Sequence, residues 1–163
     1  ALFAKHYETG EIIPQDYVEK IKESASFLEG MATLRQLSFG LLDMAFHSTN
    51  PTDITNIKAF EKAAFEGTSL YPDVAENCMS VSFSHIFQGG YSSGYYSYKW
   101  AEVLDADAFA YFQEKGIFNT EVATKFKENI LSKGGTEHPM TLYKRFRGQE
   151  PKPEALLKRA GLI

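Results

Sequence analysis

Apolar residues recur at helical spacing almost from end to end of this chain, and no run alternates long enough to make a strand. After Pro14, which suits a first helical turn, Tyr17, Ile21, Ala25 and Leu28 form one stripe, punctuated by Gly30. Leu34, Leu37, Leu41, Met44 and Ala45 form a second, predicted to face the core and to end near Asn50-Pro51. Asp53 can cap a third helix that carries Ile54, Ile57, Phe60, Ala64 and Phe65. Residues 67–93 read as irregular. A fourth helix is expected from about Tyr95 to Phe112, with Trp100, Val103, Leu104, Ala108 and Tyr111 inward. Asn119 caps a fifth, which Gly134-Gly135 stops, and two short helices follow at 139–147 and 153–160. Gly148 and Gly161 stand where left-handed helix ends favour glycine. Val81-Ser82-Phe83-Ser84 alternates, but too briefly for a sheet. The fold class is therefore all-α, an irregular helical array, and residues 1–163 form a single helical unit without linker or repeat.

The 163 residues suffice for one domain with its own core. Seventeen Lys and Arg stand against 21 Asp and Glu, a net charge of −4. That balance speaks against nucleic acid and anionic membranes as partners. No run of 18 apolar residues is present to span a bilayer. Cys78 is the single cysteine and cannot form an internal disulfide, which favours a reducing compartment.

The chemistry is concentrated between His85 and Trp100, which hold one His, three Gly and four Tyr. Gly89, Gly90 and Gly94 make a loop that can move and approach a ligand closely. A phenol is a neutral donor that can steady negative charge developing on a carbonyl oxygen. Tyr95 and Tyr98 are three apart and share a helix face, Tyr91 lies on the loop before them, and His85 can donate or accept near neutrality. The plainer reading stands beside this one: helical Tyr residues often pack with a wet hydroxyl, a lone His is usually a satisfied structural group, and Gly-Gly is often only a turn.

Other chemistries lack their residues. No two of His6, His47, His85 and His138 are four apart, and one Cys makes no Cys-x-x-Cys pair, so no metal site is expected within the chain. There is no Gly-x-Ser-x-Gly and no phosphate-binding glycine motif, and Cys78 has no basic neighbour in sequence.

The run Phe83-Ser84-His85-Ile86-Phe87-Gln88-Gly89-Gly90-Tyr91-Ser92-Ser93-Gly94-Tyr95-Tyr96-Ser97-Tyr98-Lys99-Trp100-Ala101-Glu102 resembles the C-terminal signature of the thimet oligopeptidase family of zinc peptidases. His6-Tyr7-Glu8-Thr9-Gly10, Leu34-Arg35-Gln36-Leu37-Ser38-Phe39-Gly40, Gly116-Ile117-Phe118-Asn119, Ile130-Leu131-Ser132-Lys133-Gly134-Gly135 and Phe146-Arg147-Gly148-Gln149-Glu150-Pro151 agree in order, so the resemblance covers the whole chain. Lys99 and Gln88 depart from the Leu-like and small residues expected there, without touching a proposed donor.

The resemblance implies a helical, two-lobed peptidase with a deep channel. Zinc is held by a His-Glu-x-x-His helix and a downstream Glu, and a zinc-bound water attacks the scissile carbonyl. Those ligands are expected upstream of this chain, which then corresponds to the C-terminal part of a zincin-type catalytic domain and, alone, binds no catalytic zinc and cleaves no peptide. By position in the motif, Tyr98 corresponds to the catalytic oxyanion donor. His85 and Tyr91 correspond to residues on the substrate backbone, with Gly89 and Gly90 in the loop that closes over it. Of Tyr95 and Tyr96 one touches substrate and the other packs; Tyr95 is placed among the substrate contacts. His6, His47 and His138 are left as structural. The implied partners are short peptides, cleaved signal peptides among them, and the rest of the peptidase chain, in the cytoplasm. The rival readings are a non-catalytic helical peptide-binding module and, disfavoured by charge, a nucleic-acid binder.

Overall fold

The computed structural model describes residues 3–163, and among them helices and turns carry the whole architecture, with one isolated antiparallel bridge between Lys5 and Ile12. The helices are α1 (Gln15–Ser24), α2 (Glu29–Ser48), α3 (Ile57–Ala64), α4 (Ser84–Phe87), α5 (Ser97–Lys115), α6 (Thr120–Phe126), α7 (Pro139–Arg147) and α8 (Glu154–Arg159). Short 3₁₀ turns occupy Pro51–Asp53 and Met79–Val81, and a π-helical turn, Lys127–Leu131, continues α6. The all-α expectation holds.

Local chemistry explains several boundaries. The Asn119 side chain accepts from the amides of Glu121 and Val122 and so starts α6, as read from the sequence. Gly148 and Gly161 end α7 and α8 at φ 83° and 69°. Elsewhere the boundary lies differently. Asn56, not Asp53, caps α3, because its side chain accepts from the Ala59 amide while Asp53 is taken into a 3₁₀ turn. Gly30 does not interrupt anything: it lies in the first turn of α2, and Leu28, at φ 57°, makes the break instead.

The largest departure concerns which face of α2 is buried. Phe39, Leu42 and Asp43 are buried, whereas Leu37, Leu41 and Met44 of the predicted core stripe are exposed. Two apolar stripes run along this helix. The one spaced Phe39, Leu42, Phe46 wins because Phe83, Ile86, Phe65 and Met79 pack against it. On α5, Val103 and Ala108 are buried as expected, while Trp100 is 42% exposed.

Among the described residues the interior comprises two clusters. One gathers Phe39, Leu42, Phe83 and Ile86, with Tyr95 against them. The other gathers Ala108, Val122, Tyr143 and Phe146 under α5, α6 and α7. In the second, the Tyr143 hydroxyl donates to Asp107 Oδ2 at 2.7 Å, and Arg147 bridges Asp107 and Glu114. α8 returns along α5, with Arg159 paired to Asp105. The Gly-rich segment therefore issues from the first core cluster, at α4, and leads directly into α5.

Candidate functional site

Between α4 and α5 the backbone makes consecutive turns. The Gln88 and Gly89 amides donate to Ser84 O, Tyr91 N–H to His85 O at 3.2 Å, Gly94 N–H to Tyr91 O at 2.8 Å, and Tyr98 N–H to Tyr95 O at 3.2 Å. Ser92 Oγ donates to Ile86 O at 2.5 Å. The glycines have distinct reasons. A Cβ on Gly89 would stand 2.8 Å from His85 Cα and 2.9 Å from its carbonyl oxygen, closer than real atoms come. Gly90 sits at φ 81°, where only glycine is free of steric cost. Backbone hydrogen bonds at Gln88, Gly89, Tyr91 and Gly94 thus shape the loop into turns, which Gly89 and Gly90 fit.

These turns bring four of the singled-out rings together. Tyr98 stacks on Tyr91 with centroids 5.3 Å apart and planes 14° apart. Tyr95 lies 5.1 Å from Tyr98. His85 stands edge-on to Tyr91 at 5.9 Å and to Tyr95 at 6.3 Å. Tyr95 also packs on Phe39 and Phe83, and its hydroxyl donates to Gln36 Oε1 at 3.5 Å. Tyr95 is thus the inner member of the set. Tyr98 is 43% exposed and Tyr96 is 59% exposed.

Tyr98 also borders an open cavity of about 310 Å³ between α2 and the start of α5. Its walls include Leu37, Leu41 and Met44, the stripe that the core left uncovered, together with Gln36, Tyr96 and Lys99. The volume falls within the range of small-molecule and peptide-side-chain pockets. An apolar wall edged by phenols suits an extended peptide, whose side chains need burial and whose carbonyls need donors.

The phenols are held as donors. The hydrogen bond shared with Tyr91, then partial burial and the neighbouring phenols, raise the Tyr98 pKa above the ordinary phenol value. Burial raises that of Tyr95, against the opposing charge of Arg35. Both therefore keep their protons through neutral and mildly alkaline pH. The remaining histidines have structural partners: His6 Nδ1 accepts from the Glu8 and Thr9 amides, His138 Nδ1 accepts from the Met140 amide at the start of α7, and His47 Nδ1 pairs with Asp43.

Asp43 is the residue that sequence reasoning missed. It has no exposed surface, in the middle of α2. Its Oδ1 accepts from the Ser93 amide and its Oδ2 from the Tyr95 amide, each at 2.9 Å. The signal was an acidic residue set between Leu42 and Met44 inside an apolar helix.

Zinc can be tested against the residues present. Among the described residues no three His, Cys, Asp or Glu side chains converge as a metal-binding set. His85 is surrounded by aromatic rings, not by a second ligand. The donor set among the described residues does not fit a bound metal.

The model of Peptidase family M3 matches residues 1–162. The chain belongs to that family. The resemblance read from residues 83–102 is thereby established over the full length. Among its relatives, this M3 chain is 44% identical to oligopeptidase A of Escherichia coli, over 99% of the chain and 24% of that protein. It is 41% identical to an organellar oligopeptidase A of Arabidopsis thaliana, over 98% of the chain and 21% of that protein. It is 34% identical to a dipeptidyl carboxypeptidase of Escherichia coli, over 99% of the chain and 24% of that protein. The M3 chain thus spans about a quarter of the length of the relatives it matches.

Proposed function

We propose that this chain is the C-terminal part of the catalytic domain of a zinc-dependent metallopeptidase that hydrolyses short peptides in the cytoplasm. Residues 1–163 act as one helical unit, joined to a segment that carries the metal. Membership of the M3 family and the peptidase names of its relatives support the peptidase reading.

In this reading Tyr98 donates a hydrogen bond from its phenol to the oxygen of the reacting carbonyl as negative charge builds there. His85, Tyr91 and Tyr95 contact the peptide beside it, and Gly89 and Gly90 lie in the loop that closes over it. The single observation that carries this is the position of the Tyr98 ring: stacked on Tyr91, 43% exposed, and at the rim of the apolar cavity. A fixed neutral donor aimed at developing charge is worth more in the transition state than in the ground state.

The test is a chimera in which this chain replaces the matching quarter of Escherichia coli oligopeptidase A. The chimera should cleave a quenched-fluorescent peptide. Tyr98→Phe in it should leave peptide binding nearly unchanged and lower kcat by roughly two to three orders of magnitude. Equal loss of binding and turnover would favour a peptide-binding role for the Tyr/Gly segment. Robust zinc-dependent cleavage by the 163-residue chain alone, with zinc measured by atomic absorption, would overturn the assignment of the metal to another segment.

A further inference from the structure

The buried carboxylate of Asp43 has no place in the chemistry above, yet it touches the functional segment at two points. We propose that Asp43 is a positioning residue, whose carboxylate pins the backbone of Ser93 and Tyr95 and thereby sets where the Tyr98 phenol stands. The inference rests on the role proposed for Tyr98 and adds the element that aims it.

The geometry is that of a clamp. Two backbone amides donate to the Asp43 carboxylate, Ser93 N–H to Oδ1 and Tyr95 N–H to Oδ2, each at 2.9 Å, while His47 Nδ1 stands 2.8 Å from Oδ1 and makes its hydrogen bond to the Asp43 backbone carbonyl. A carboxylate accepts one donor at each oxygen without leaving a donor facing another. Among the described residues Ser93 is one of two non-glycine residues at positive φ, at 56°, a conformation that needs outside support in a residue with a Cβ. The clamped pair lies immediately before α5, whose N-cap residue Tyr96 makes no side-chain capping bond. From Tyr95 the constraint passes to Tyr98 by two routes. One is the Tyr98 N–H bond to Tyr95 O, and the other is the contact of the two rings at 5.1 Å. The anchor itself is held in the first core cluster, flanked by Leu42, while His47 is steadied by the Phe87 ring at 6.0 Å. A long-range tie between the core helix and the turn is what a donor needs if it is to stay in place without reorganising.

Asp43→Asn separates positioning from simple bulk. Asparagine keeps the shape and one acceptor oxygen, but its NH₂ group must then face a donor, so one of the clamped amides loses its partner.

Two measurements on the 163-residue chain decide the matter without any turnover. In the unaltered chain, amide hydrogen exchange should be about ten- to a hundredfold slower at Ser93 and Tyr95 than at Ser92. The Ser92 amide has no hydrogen-bond partner among the described residues. The phenolate transition of Tyr98 is isolated by ultraviolet titration as the difference between the chain and its Tyr98→Phe variant. In Asp43→Asn, compared likewise with the double variant, it should move down toward that of an ordinary phenol as the Tyr91–Tyr98 stack loosens. Exchange at Ser93 and Tyr95 as fast as at Ser92 would overturn the clamp. So would a folded Asp43→Asn chain whose Tyr98 transition stays where it was, since that result leaves Asp43 a purely structural residue. Should Asp43→Asn fail to fold, the exchange rates of the unaltered chain decide alone. A clamp present in these measurements but without a turnover effect of Tyr98→Phe in the chimera would instead count against the catalytic reading.

Discussion

The backbone amide of Tyr95 lies 2.9 Å from Oδ2 of Asp43, a fully buried carboxylate 52 residues earlier in the chain. This bond joins the helix at the centre of the first core cluster to the turn that presents the tyrosines. Its removal should be felt first in stability. Asp43→Ala strands two amide donors and should lower the unfolding free energy by roughly 2–5 kcal/mol. His47→Ala should cost about 1 kcal/mol, because the His47 side chain is 24% exposed and water can replace it. Urea unfolding followed by circular dichroism measures both; equal losses would contradict the ranking.

The two adjacent glycines of the turn should respond unequally. Gly90→Ala places a Cβ at positive φ with open space around it and should cost about 1–2 kcal/mol. Gly89→Ala drives a Cβ into the His85 backbone, which cannot yield as a side chain could, and should cost more than Gly90→Ala. Gly135→Ala, with no close neighbour, is the control and should be neutral or slightly stabilising. Thermal melts of the three variants give the order, and a Gly89 variant as stable as the control would refute the packing argument.

Glu61 should make the chain acid-sensitive. Burial alone would raise its pKa, but the Ser80 hydroxyl, the Ser80 and Met79 amides and the Cys78 thiol together hold it below the ordinary carboxylate value. A carboxyl whose pKa is lower in the folded than in the unfolded chain stabilises fully above the unfolded value. That stability is lost as pH falls through the folded value. The melting temperature should therefore drop in the acid range below pH 4.5. Glu61→Gln should cost about 1–3 kcal/mol at neutral pH and show a shallower acid slope. Melting curves from neutral to acid pH of both proteins test this; parallel slopes would exclude Glu61 as the source.

The second core cluster turns on Phe146, which is 1% exposed and meets the rings of Phe126 at 5.1 Å and Tyr111 at 5.5 Å. Phe146→Ala should destabilise by about 3–5 kcal/mol. Phe118, 95% exposed, should tolerate the same change within about 0.5 kcal/mol. Chemical denaturation of both variants separates a core ring from a surface one.

Much of the helical order was legible beforehand, because its determinants are local. Asn119 starts α6 with its own side chain, and Gly148 and Gly161 end helices through their own φ. The tyrosine segment was legible too, since its residue types are crowded into a short run. The buried face of α2 was not. Its stripes Leu37-Leu41-Met44 and Phe39-Leu42-Phe46 are equally apolar and equally periodic, and periodicity alone carries no information about which one meets a partner. Phe83 and Ile86, far along the chain, make that choice and leave the other stripe to line the cavity beside Tyr98.

By itself, then, the amino-acid order determined the helices, most of their ends and the family to which the chain belongs, because capping, backbone freedom and motif spacing act within a few residues. Tertiary structure alone decided that a helix stripe becomes a pocket wall and that Asp43 grips the turn before α5. Those outcomes depend on which surfaces meet across fifty or so residues of chain, and a carboxylate reveals its partners only once the fold has brought their donors to it.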